Sequence, residues 1–514
     1  MKVSLAPDRA ELVRHLGRAV VPLHDRQAEM NRRTKIVATI GPASDSVESL
    51  RELMTAGVDV IRLNLSHGAV EDHLVRLERV RRAADEVGRH VAVMADLPGP
   101  KIRAGEFPVG GVRLEAGTIV EMRPGDGASG TNLITVPYPT LLTDLHVGSR
   151  VQLGDGAISL AIESIDDSSA TARVATGGHV SGQPGVHLSA DTLRLMTPTE
   201  EDLALAEIVA GEGVDFIAVS FVRRGGDLDQ VRDVVGRRAQ LIAKIETQSS
   251  VEHLDEIVAA ADAVMVARGD LGIDCPIEDV PHLQKQIVRH CVEAGVPVIT
   301  ATQMLESMIS APSPTRAEVS DIANAVFDGS DAIMLSGETA IGHDPVGVVE
   351  TMAKIAIRAE SEADYAHWAV RLGRLQSRGD SLATRHIDST TAAITHAASQ
   401  AATDFDVKAI LCCTNSGRTA RAMARFRPTT TLLAVSPHLA TLRSMSLSWG
   451  VEPLLVEPHD STDEMISSVV EAVRCTGLAA RGDTVFVLAG VAGRDRIPGH
   501  SGPATNALRI VRVE

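Results

Sequence analysis

From Thr34 onward, short apolar runs alternate with segments of helical periodicity. The runs are almost continuously apolar, which is typical of parallel strands buried on both faces. Segments between them, such as Ser46–Ala56 and Val280–Ala294, have apolar residues at helical spacing. Eight strand–helix units predict a TIM (β/α)8 barrel over residues 32–103 and 188–360. The predicted strands are Lys35–Ile40, Val58–Leu65, Val91–Leu97, Phe216–Phe221, Leu241–Glu246, Ala263–Arg268, Val296–Thr302 and Ala332–Ser336.

This alternation is interrupted between residues 104 and 187. The interrupting segment is rich in Gly, Val and Thr, and stretches such as Arg150–Leu153 and Thr171–Val174 alternate polar with apolar residues. Such alternation indicates antiparallel strands with one buried face. We therefore predict a small β domain, residues 104–187, inserted after the third barrel strand. It is positioned to act as a lid over the barrel mouth.

The chain continues on both sides of the barrel. A second α/β domain is predicted over residues 361–514, with strands at Lys408–Cys412, Thr431–Val435, Thr484–Leu488 and Leu508–Val513. Residues 1–31 are predicted to form a helical lead-in, because apolar residues recur there at helical spacing.

Composition and charge argue against several classes of function. The 514 residues carry a formal charge of -17, and only 2% are aromatic, which argues against binding of nucleic acid or an anionic membrane. No two of the five cysteines form a C-x-x-C pair, so neither a zinc ribbon nor a disulfide framework is indicated. No apolar run is long enough to span a bilayer, and the N-terminus lacks a signal-peptide pattern. We expect a cytoplasmic protein.

The fifth predicted strand carries two charges, Lys244 and Glu246, in an otherwise apolar segment. Residues two apart in a strand point to the same face, so these side chains project together. The sixth strand leads into Asp270, and Glu246 and Asp270 are hard oxygen ligands suited to Mg²⁺ or Mn²⁺. Lys244 would supply a charge for a transferring phosphoryl group. The alternative is an ordinary ion pair at the end of a strand.

Other barrel strands also end in polar residues, and TIM barrels place their active sites at these ends. Arg62 and Arg103 can clamp phosphate oxygens. Gly269 lets a backbone N–H approach a bound carboxylate, and the Thr302 hydroxyl can relay a proton to carbon.

Several motifs resemble the pyruvate kinase family, in the same order along the chain. The resemblance extends from about residue 32 to the C-terminus and covers all three predicted domains. The segments that carry it are residues 34–44 (TKIVATIGPAS), 62–68 (RLNLSHG), 244–246 (KIE), 265–272 (MVARGDLG), 300–308 (TATQMLESM) and 314–321 (PTRAEVSD).

The resemblance implies phosphoryl transfer from phosphoenolpyruvate to ADP, giving ATP and enolpyruvate, followed by protonation to pyruvate. It makes Lys244, Thr302 and Arg62 the catalytic residues. Glu246 and Asp270 are then the ligands of Mg²⁺ or Mn²⁺. Substrate binding is expected from Lys244, Ala267, Arg268, Gly269, Asp270 and Thr302, and nucleotide binding from Arg62, Asn64, His67 and Arg103. A homotetramer is a further expectation from the family.

Two positions depart from family members that require K⁺. Leu97 stands where those members have Thr, and Lys101 stands where they have Glu. With Asn64, Ser66 and Asp96 they form the equivalent of the monovalent site, in which the Lys101 ammonium is predicted to replace the cation. The alternative is that Lys101 points to solvent and K⁺ still binds. A third departure is residues 183–185 (QPG), where many members have a lysine-containing segment, and residues 494–500 also differ from the usual effector loop.

The predicted C-terminal domain contains a hydroxyl-rich loop between a strand and a helix. Backbone N–H groups at a helix start bind phosphate readily. The resemblance favours an allosteric site for a phosphorylated effector over a simple helix N-cap. The loop comprises Thr414, Asn415, Ser416, Gly417, Arg418 and Thr419.

Two other functions fit part of the pattern. A metal-dependent barrel lyase acting on pyruvate or oxaloacetate would use the carboxylate pair, but it needs neither the inserted lid nor a second phosphate-binding domain. A phosphometabolite sensor without catalysis would not need Lys244, Glu246, Asp270 and Thr302 together.

Overall fold

The computed structural model describes residues 32–100, 102–154, 158–188, 197–377, 386–459, 461–490 and 504–514. Within them, eight parallel strands close into a barrel in the order β1-β16-β15-β14-β13-β12-β3-β2. This confirms the predicted (β/α)8 fold. The barrel strands are β1 Lys35–Thr39, β2 Val60–Asn64, β3 Ala92–Asp96, β12 Phe216–Val219, β13 Gln240–Ile245, β14 Ala263–Ala267, β15 Val298–Ala301 and β16 Ala332–Leu335.

Seven of the eight strands are shorter than the apolar runs that predicted them, because several runs continue into loops or helices, and β13 is shifted by one residue towards the N-terminus. Arg268, predicted as the end of a strand, begins a helix instead. The helices up to the end of the barrel are α1 Val47–Ala56, α2 Val70–Val87, α3 Leu141–Asp144 (in the inserted domain), α4 Glu200–Gly211, α5 Gly225–Val235, α6 Gln248–Glu252, α7 Leu254–Ala260, α8 Arg268–Asp274, α9 Val280–Ala294, α10 Arg316–Asp328, α11 Gly337–Ala340 and α12 Pro345–Glu362.

Local sequence explains where these helices begin and end. Ser46 starts α1, because its side chain accepts the N–H of Ser49. Thr199 and Asp202 form a capping box at the start of α4. Gly295 ends α9 in a left-handed conformation, with φ of 74°, that other residues rarely adopt. The predicted bounds of α9 match the structure.

The inserted segment folds into its own β domain, as predicted. Its main sheet has the order β11-β7-β8-β9-β5-β6, and a two-stranded sheet pairs β10 with β4. All pairs are antiparallel except β5 with β6, which is parallel. The strands are β4 Val112–Leu114, β5 Ile119–Pro124, β6 Leu133–Val136, β7 Arg150–Leu153, β8 Ile158–Ile165, β9 Ala170–Thr176, β10 Gly178–Val180 and β11 Val186–His187. We call this domain the lid.

The C-terminal domain is a five-stranded sheet with helices, in the order β19-β18-β17-β20-β21. The sequence missed β19, because Glu452 and Pro453 interrupt its apolar pattern. The strands are β17 Val407–Cys413, β18 Thr431–Ser436, β19 Val451–Leu455, β20 Thr484–Ala489 and β21 Ala507–Arg512. The helices are α13 Tyr365–Ser377, α14 Ser389–Asp404, α15 Arg418–Ala424, α16 Leu439–Ser444 and α17 Thr462–Cys475. The predicted N-terminal lead-in lies outside the described residues.

The end of the barrel opposite the lid repeats one arrangement four times. An aspartate precedes every second strand around the barrel and accepts the N–H of the residue at the start of a neighbouring strand. Each aspartate also binds an arginine. The sets are Asp59 with Ile36 N (2.9 Å) and Arg32, Asp215 with Val93 N (2.7 Å) and Arg81, Asp262 with Leu241 N (2.9 Å) and Arg232, and Asp331 with Val298 N (3.1 Å) and Arg427.

The C-terminal domain is attached at this same end. Arg427 and Trp449 belong to that domain. The Arg427 guanidinium and the backbone N–H of Trp449 both donate to Asp331 Oδ1, at 2.9 and 3.1 Å. The Lys35 ammonium on β1 donates in turn to the Val451 carbonyl at 2.9 Å. This leaves the opposite end of the barrel, under the lid, open for a functional site. None of the described helices is long and apolar enough to cross a membrane.

Candidate active site

Lys244 is at the centre of a charge cluster in the barrel mouth. Alternate residues of β13 pack into the layer between barrel and helices, so Lys244 faces the barrel interior. Its ammonium lies 2.9 Å from Glu246 Oε1 and 3.3 Å from Asp96 Oδ1, and it donates to the Ser220 hydroxyl at 2.7 Å. The ion pair between Lys244 and Glu246 foreseen from their spacing therefore forms, within a larger cluster.

Asp96 is shared by two cations. Its Oδ2 accepts from Arg62 Nε at 2.7 Å while Oδ1 approaches Lys244, and Arg62 also donates to the Thr39 hydroxyl at 3.0 Å. Burial opposes ionisation of Asp96, but the charges of Lys244 and Arg62 outweigh it and hold its pKa below the usual value. Asp96 thus stays anionic and fixes both cations in position.

The same balance keeps Lys244 protonated. Burial alone would lower its pKa, but Asp96 and Glu246 raise the pKa above that of a free lysine. A buried ammonium with its side chain only 12% exposed is therefore available at the mouth. Such a fixed charge is the kind of group that stabilises a phosphoryl group in transit.

Glu246 is buried and incompletely satisfied. Its Oε2 accepts from the Phe221 N–H at 2.6 Å, whereas Oε1 has no hydrogen bond although the Lys244 ammonium is near. Burial raises the pKa of Glu246 to about 7, with a further rise from Asp270 and an opposing effect of Lys244. A buried carboxylate oxygen that is paired with one ammonium and lies beside a second carboxylate suits a cation site.

Asp270 lies in the first turn of α8, the helix that follows β14. It lines a cavity between the barrel and the lid together with Glu246. No cluster of three or more His, Cys, Asp or Glu side chains able to hold a metal occurs in the part of the chain that the structure describes. Two carboxylates nevertheless fit Mg²⁺, which usually keeps several waters and takes further oxygens from substrate phosphates.

Thr302 lies beside the glycine that precedes Asp270. Its hydroxyl accepts from the Gly269 N–H at 2.9 Å and donates to the Ala301 carbonyl at 2.7 Å. Thr302 has a φ of 69°, in the left-handed region that a β-branched residue rarely adopts. Such strain is typical of functional positions.

Arg268, expected to bind substrate, has a different environment. Its guanidinium forms a two-point ion pair with Asp321 of α10, at 2.7 and 2.9 Å, and a 3.3 Å bond to Gln284 of α9. It also donates to the carbonyls of Ala301 and Thr302. These contacts occupy the side chain, so the guanidinium ties the turn of Ala267, Gly269 and Thr302 to the outer helices.

The expected nucleotide ligands lie around the same mouth. Asn64 is the last residue of β2, paired in register with Asp96, and its side chain accepts the Ser66 N–H at 3.3 Å. His67 follows in an exposed loop. Arg103 is exposed where the chain enters the lid, and it donates to the Gln183 carbonyl at 3.1 Å. The backbone of Arg103 also forms an isolated antiparallel β-bridge with Gly185, in the segment whose sequence departs from the family.

Lys101 and Leu97 are the two residues expected to make K⁺ dispensable, and the structure describes only Leu97. Lys101 lies outside the described residues. Leu97 is buried, and its side chain packs in the layer between the barrel and its helices. A side chain at this position faces away from Asp96, so the lack of a hydroxyl here has no bearing on a cation at the mouth. Leu97 therefore gives no support to K⁺ independence.

Sequence reasoning gave no role to Ser220, Thr39 or Phe221, which all support the charged residues. Ser220 bridges Lys244 and the Leu97 carbonyl, to which it donates at 2.8 Å. Phe221 has a φ of 54°, which accompanies its N–H donation to Glu246. The signal for Ser220 was its position at the end of the fourth strand, but no pattern signalled a left-handed phenylalanine.

The hydroxyl-rich loop of the C-terminal domain lines a cleft of about 990 Å³. Thr414, Asn415, Ser416, Arg418 and Thr419 all contribute to it. Gly417 has a φ of 80° and donates its N–H to the Thr414 hydroxyl at 2.9 Å, which shapes the turn before α15. The Thr419 hydroxyl is bonded to that of Thr505 at 2.7 Å.

Comparison with known proteins agrees with this geometry. Residues 31–349 match the family model described as pyruvate kinase, barrel domain, and residues 392–511 match pyruvate kinase, alpha/beta domain. A pyruvate kinase of Geobacillus stearothermophilus is 41% identical over 471 residues, which cover 90% of this chain and 78% of the relative. A pyruvate kinase of Bacillus licheniformis is 42% identical, and one of Staphylococcus aureus (strain MRSA252) is 39% identical, with the same coverage.

The matches span both the barrel that holds Lys244 and the domain that holds the hydroxyl-rich loop. The charge cluster at the mouth suits phosphoryl transfer. The chain therefore belongs to the pyruvate kinase family of phosphotransferases.

Proposed function

We propose that the enzyme transfers the phosphoryl group of phosphoenolpyruvate to ADP at the mouth of the barrel, with Lys244 as the central catalytic group. The observation that carries this proposal is the buried Lys244 ammonium, oriented by Asp96, Glu246 and Ser220. In this proposal the ammonium would lie beside the phosphoryl group as it passes from phosphoenolpyruvate to ADP. Arg62 of β2, fixed by Asp96 and Thr39, supplies a second cation.

We propose that Glu246 and Asp270 hold Mg²⁺ or Mn²⁺. Their fit rests on the unsatisfied Glu246 oxygen and on the cavity that both carboxylates line. A bound divalent ion would offset the charge of the phosphate oxygens. Substrate would be positioned by Ala267, Gly269 and Asp270 with Lys244 and Thr302. Arg268 would act indirectly, by holding this turn against Asp321.

Protonation of enolpyruvate is assigned to Thr302. Its hydroxyl is bonded on one side to the Gly269 N–H and on the other to the Ala301 carbonyl, so its direction is fixed. A threonine hydroxyl is too weak an acid to act alone, and it would therefore relay a proton from water. Nucleotide phosphates would be contacted by Arg62, Asn64, His67 and Arg103.

One assay tests the reaction. Purified enzyme with phosphoenolpyruvate, ADP and Mg²⁺ should form ATP and pyruvate in equal amounts, and omission of ADP should stop both. Pyruvate formed without ADP would instead support a metal-dependent lyase. Binding without turnover would support the sensor alternative.

We propose that K⁺ is not required. The support is Lys101 in the sequence and the two cations already bound to Asp96, since a third cation there would meet repulsion. Turnover should change less than about tenfold, or 1.4 kcal/mol of barrier, when K⁺ replaces a bulky organic cation at constant ionic strength. Lys101→Glu should lower the K⁺-free activity, and Lys354→Glu on the exposed face of α12 is the control.

A phosphorylated allosteric effector is proposed to bind at Thr414, Asn415, Ser416, Gly417, Arg418 and Thr419. The support is the hydroxyl-rich turn with an arginine at the edge of a large cleft. Ser416→Glu should abolish calorimetric binding of sugar phosphates or AMP by repulsion, and Ser416→Ala should weaken it less. Equal binding by wild type and Ser416→Glu would place the effector elsewhere.

We also propose that the enzyme is a cytoplasmic homotetramer. Each chain would have a barrel domain formed by residues 32–103 and 188–360, a lid at residues 104–187 and a C-terminal domain at residues 361–514. A helical lead-in at residues 1–31 would precede them. All five cysteines are free, as a reducing compartment requires. Light scattering on the purified enzyme tests the assembly, for which a mass of four chains is expected.

A further inference from the structure

A histidine of the lid faces the proposed metal site. His187 is the second residue of β11, which returns the lid to the barrel. Its neighbours Val186 and Leu188 are both buried in the apolar core of the lid. Because successive side chains of a strand point to opposite faces, His187 faces away from that core.

Strand pairing shows what lies on that side. His187 pairs with Gln152 of the antiparallel strand β7, and directly paired residues share one face of a sheet. Gln152 Nε2 donates to the Ile273 carbonyl at 3.2 Å. Ile273 lies in α8, the helix whose first turn carries Asp270. The face that holds His187 and Gln152 is therefore turned towards the metal-site helix.

The cavity between lid and barrel brings these groups together. His187 lines it together with Glu246 and Asp270, and Arg223, Thr247 and Asp274 contribute further polar groups. Gly185 leaves room for the imidazole, because a Cβ there would lie 3.2 Å from His187 Nε2. The ring therefore lies over the Gly185 backbone, at the edge of the cavity.

The lid offers few other nitrogen donors for this position. Residues 104–187 contain no lysine. Three of the lid arginines form ion pairs with glutamates of the lid itself: Arg113 with Glu115, Arg123 with Glu121 and Arg173 with Glu163. Arg150 shares the face of Gln152 two residues earlier in β7 and is the competing candidate.

We infer that His187 donates a hydrogen bond from the lid to a phosphoryl oxygen bound beside Glu246 and Asp270. This inference rests on the proposed metal site. The phosphoryl group belongs either to Mg·ADP or to phosphoenolpyruvate, and both present the same oxygen chemistry. His187 would thus be a lid residue that recognises the substrate and favours lid closure over it.

The test uses variants of the full-length enzyme. Calorimetry should show that His187→Leu, which keeps bulk but has no donor, binds Mg·ADP or phosphoenolpyruvate at least about fivefold more weakly. His187→Lys should bind as wild type does. The matched control is His179→Leu, an exposed histidine elsewhere in the lid that contacts the Gly110 carbonyl. Melting temperatures of all variants should stay close to that of wild type.

The two substrates separate the source of the phosphate. A loss confined to Mg·ADP assigns the contact to the nucleotide, and a loss confined to phosphoenolpyruvate assigns it to that substrate. Unchanged affinity for both in His187→Leu, or a loss seen only in Arg150→Ala, overturns the inference. Wild-type enzyme that forms no ATP would instead count against the proposed reaction, which is a separate result.

Discussion

The two ends of the barrel both hold buried carboxylates, but they satisfy them differently. At the mouth, Glu246 Oε1 and Asp96 Oδ1 have no hydrogen bond, although the Lys244 ammonium is close to both. At the opposite end, both oxygens of Asp331 are hydrogen-bonded, to Val298 N on one side and to Arg427 and Trp449 N on the other.

This difference separates catalysis from stability. At the end of the barrel opposite the lid, which we call the closed end, the aspartates are hydrogen-bonded to backbone N–H groups and arginines. They hold strands and domains together, and Asp331 has no free oxygen for a ligand to bind. At the mouth, Glu246 Oε1 and Asp96 Oδ1 share one ammonium, and we expect a bound divalent metal to stabilise the Glu246 carboxylate further. The pKa values do not separate the two ends. Burial raises the pKa of Asp215 at the closed end and that of Glu246, to about 7, at the mouth. At Asp59 and Asp96 burial opposes ionisation, but neighbouring cations outweigh it and lower the pKa.

Removing an arginine from the closed end should have the largest effect on stability. Arg427→Met leaves the Asp331 charge buried without its cation, which should cost about 3–5 kcal/mol of unfolding free energy. Urea denaturation monitored by Trp fluorescence would measure this loss. The exposed pair of Arg82 and Glu86 supplies the control, since Arg82→Met should cost less than about 1 kcal/mol. Equal losses in the two variants would contradict the comparison.

Metal affinity at the mouth should depend on pH near neutrality. In the proposed site the metal would bind the Glu246 carboxylate, and with a pKa of about 7 this group takes up a proton as the pH falls. Mn²⁺ affinity of the metal-free enzyme should therefore drop by up to about tenfold per pH unit below 7. Electron paramagnetic resonance titration would measure it. Glu246→Gln should bind Mn²⁺ weakly and lose this pH dependence, and retention of the dependence would assign it to another group.

The contribution of each closed-end aspartate to the free energy of unfolding should fall as the exposed fraction of its ion pair rises. Asp262 and Arg232 are 29% and 32% exposed in their side chains, whereas Arg427 is 1% exposed. Asp262→Asn keeps an acceptor for the Leu241 N–H and should cost only about 1 kcal/mol. Asp331→Asn should cost clearly more. A similar shift of the urea midpoint in both variants would show that burial does not set the difference.

Much of this architecture could be predicted, because barrel strands buried on both faces leave long apolar runs in the sequence. The side-chain period of two placed Lys244 and Glu246 together, and the structure confirms their contact. Strand ends were predicted too long, since polar residues such as Arg268 belong to the following turn. β19 was missed because Glu452 and Pro453 disguise a strand next to the barrel.

Other features depend on contacts between distant segments, which no local pattern encodes. The contacts of Asp96 with Lys244 and Arg62, which come from two other strands, could not be read from the sequence, and its place in a monovalent-site equivalent stays a prediction. Leu97 was expected to prevent K⁺ binding, because it lacks a side-chain oxygen. Alternation along the chain after β3 instead points its side chain towards the outer helices. The place of His187 in a cavity that Asp270 also lines depends on the pairing of β11 with β7, which the sequence alone does not fix.

We propose that Lys244 at the mouth drives phosphoryl transfer without being needed for the fold. The sharpest test is the turnover of Lys244→Met with saturating phosphoenolpyruvate, ADP and Mg²⁺, with Lys354→Met, an exposed lysine of α12, as the control. We expect kcat to fall by about two orders of magnitude or more in the first variant and to be unchanged in the second. A Lys244→Met enzyme that turns over within about threefold of wild type would contradict the account.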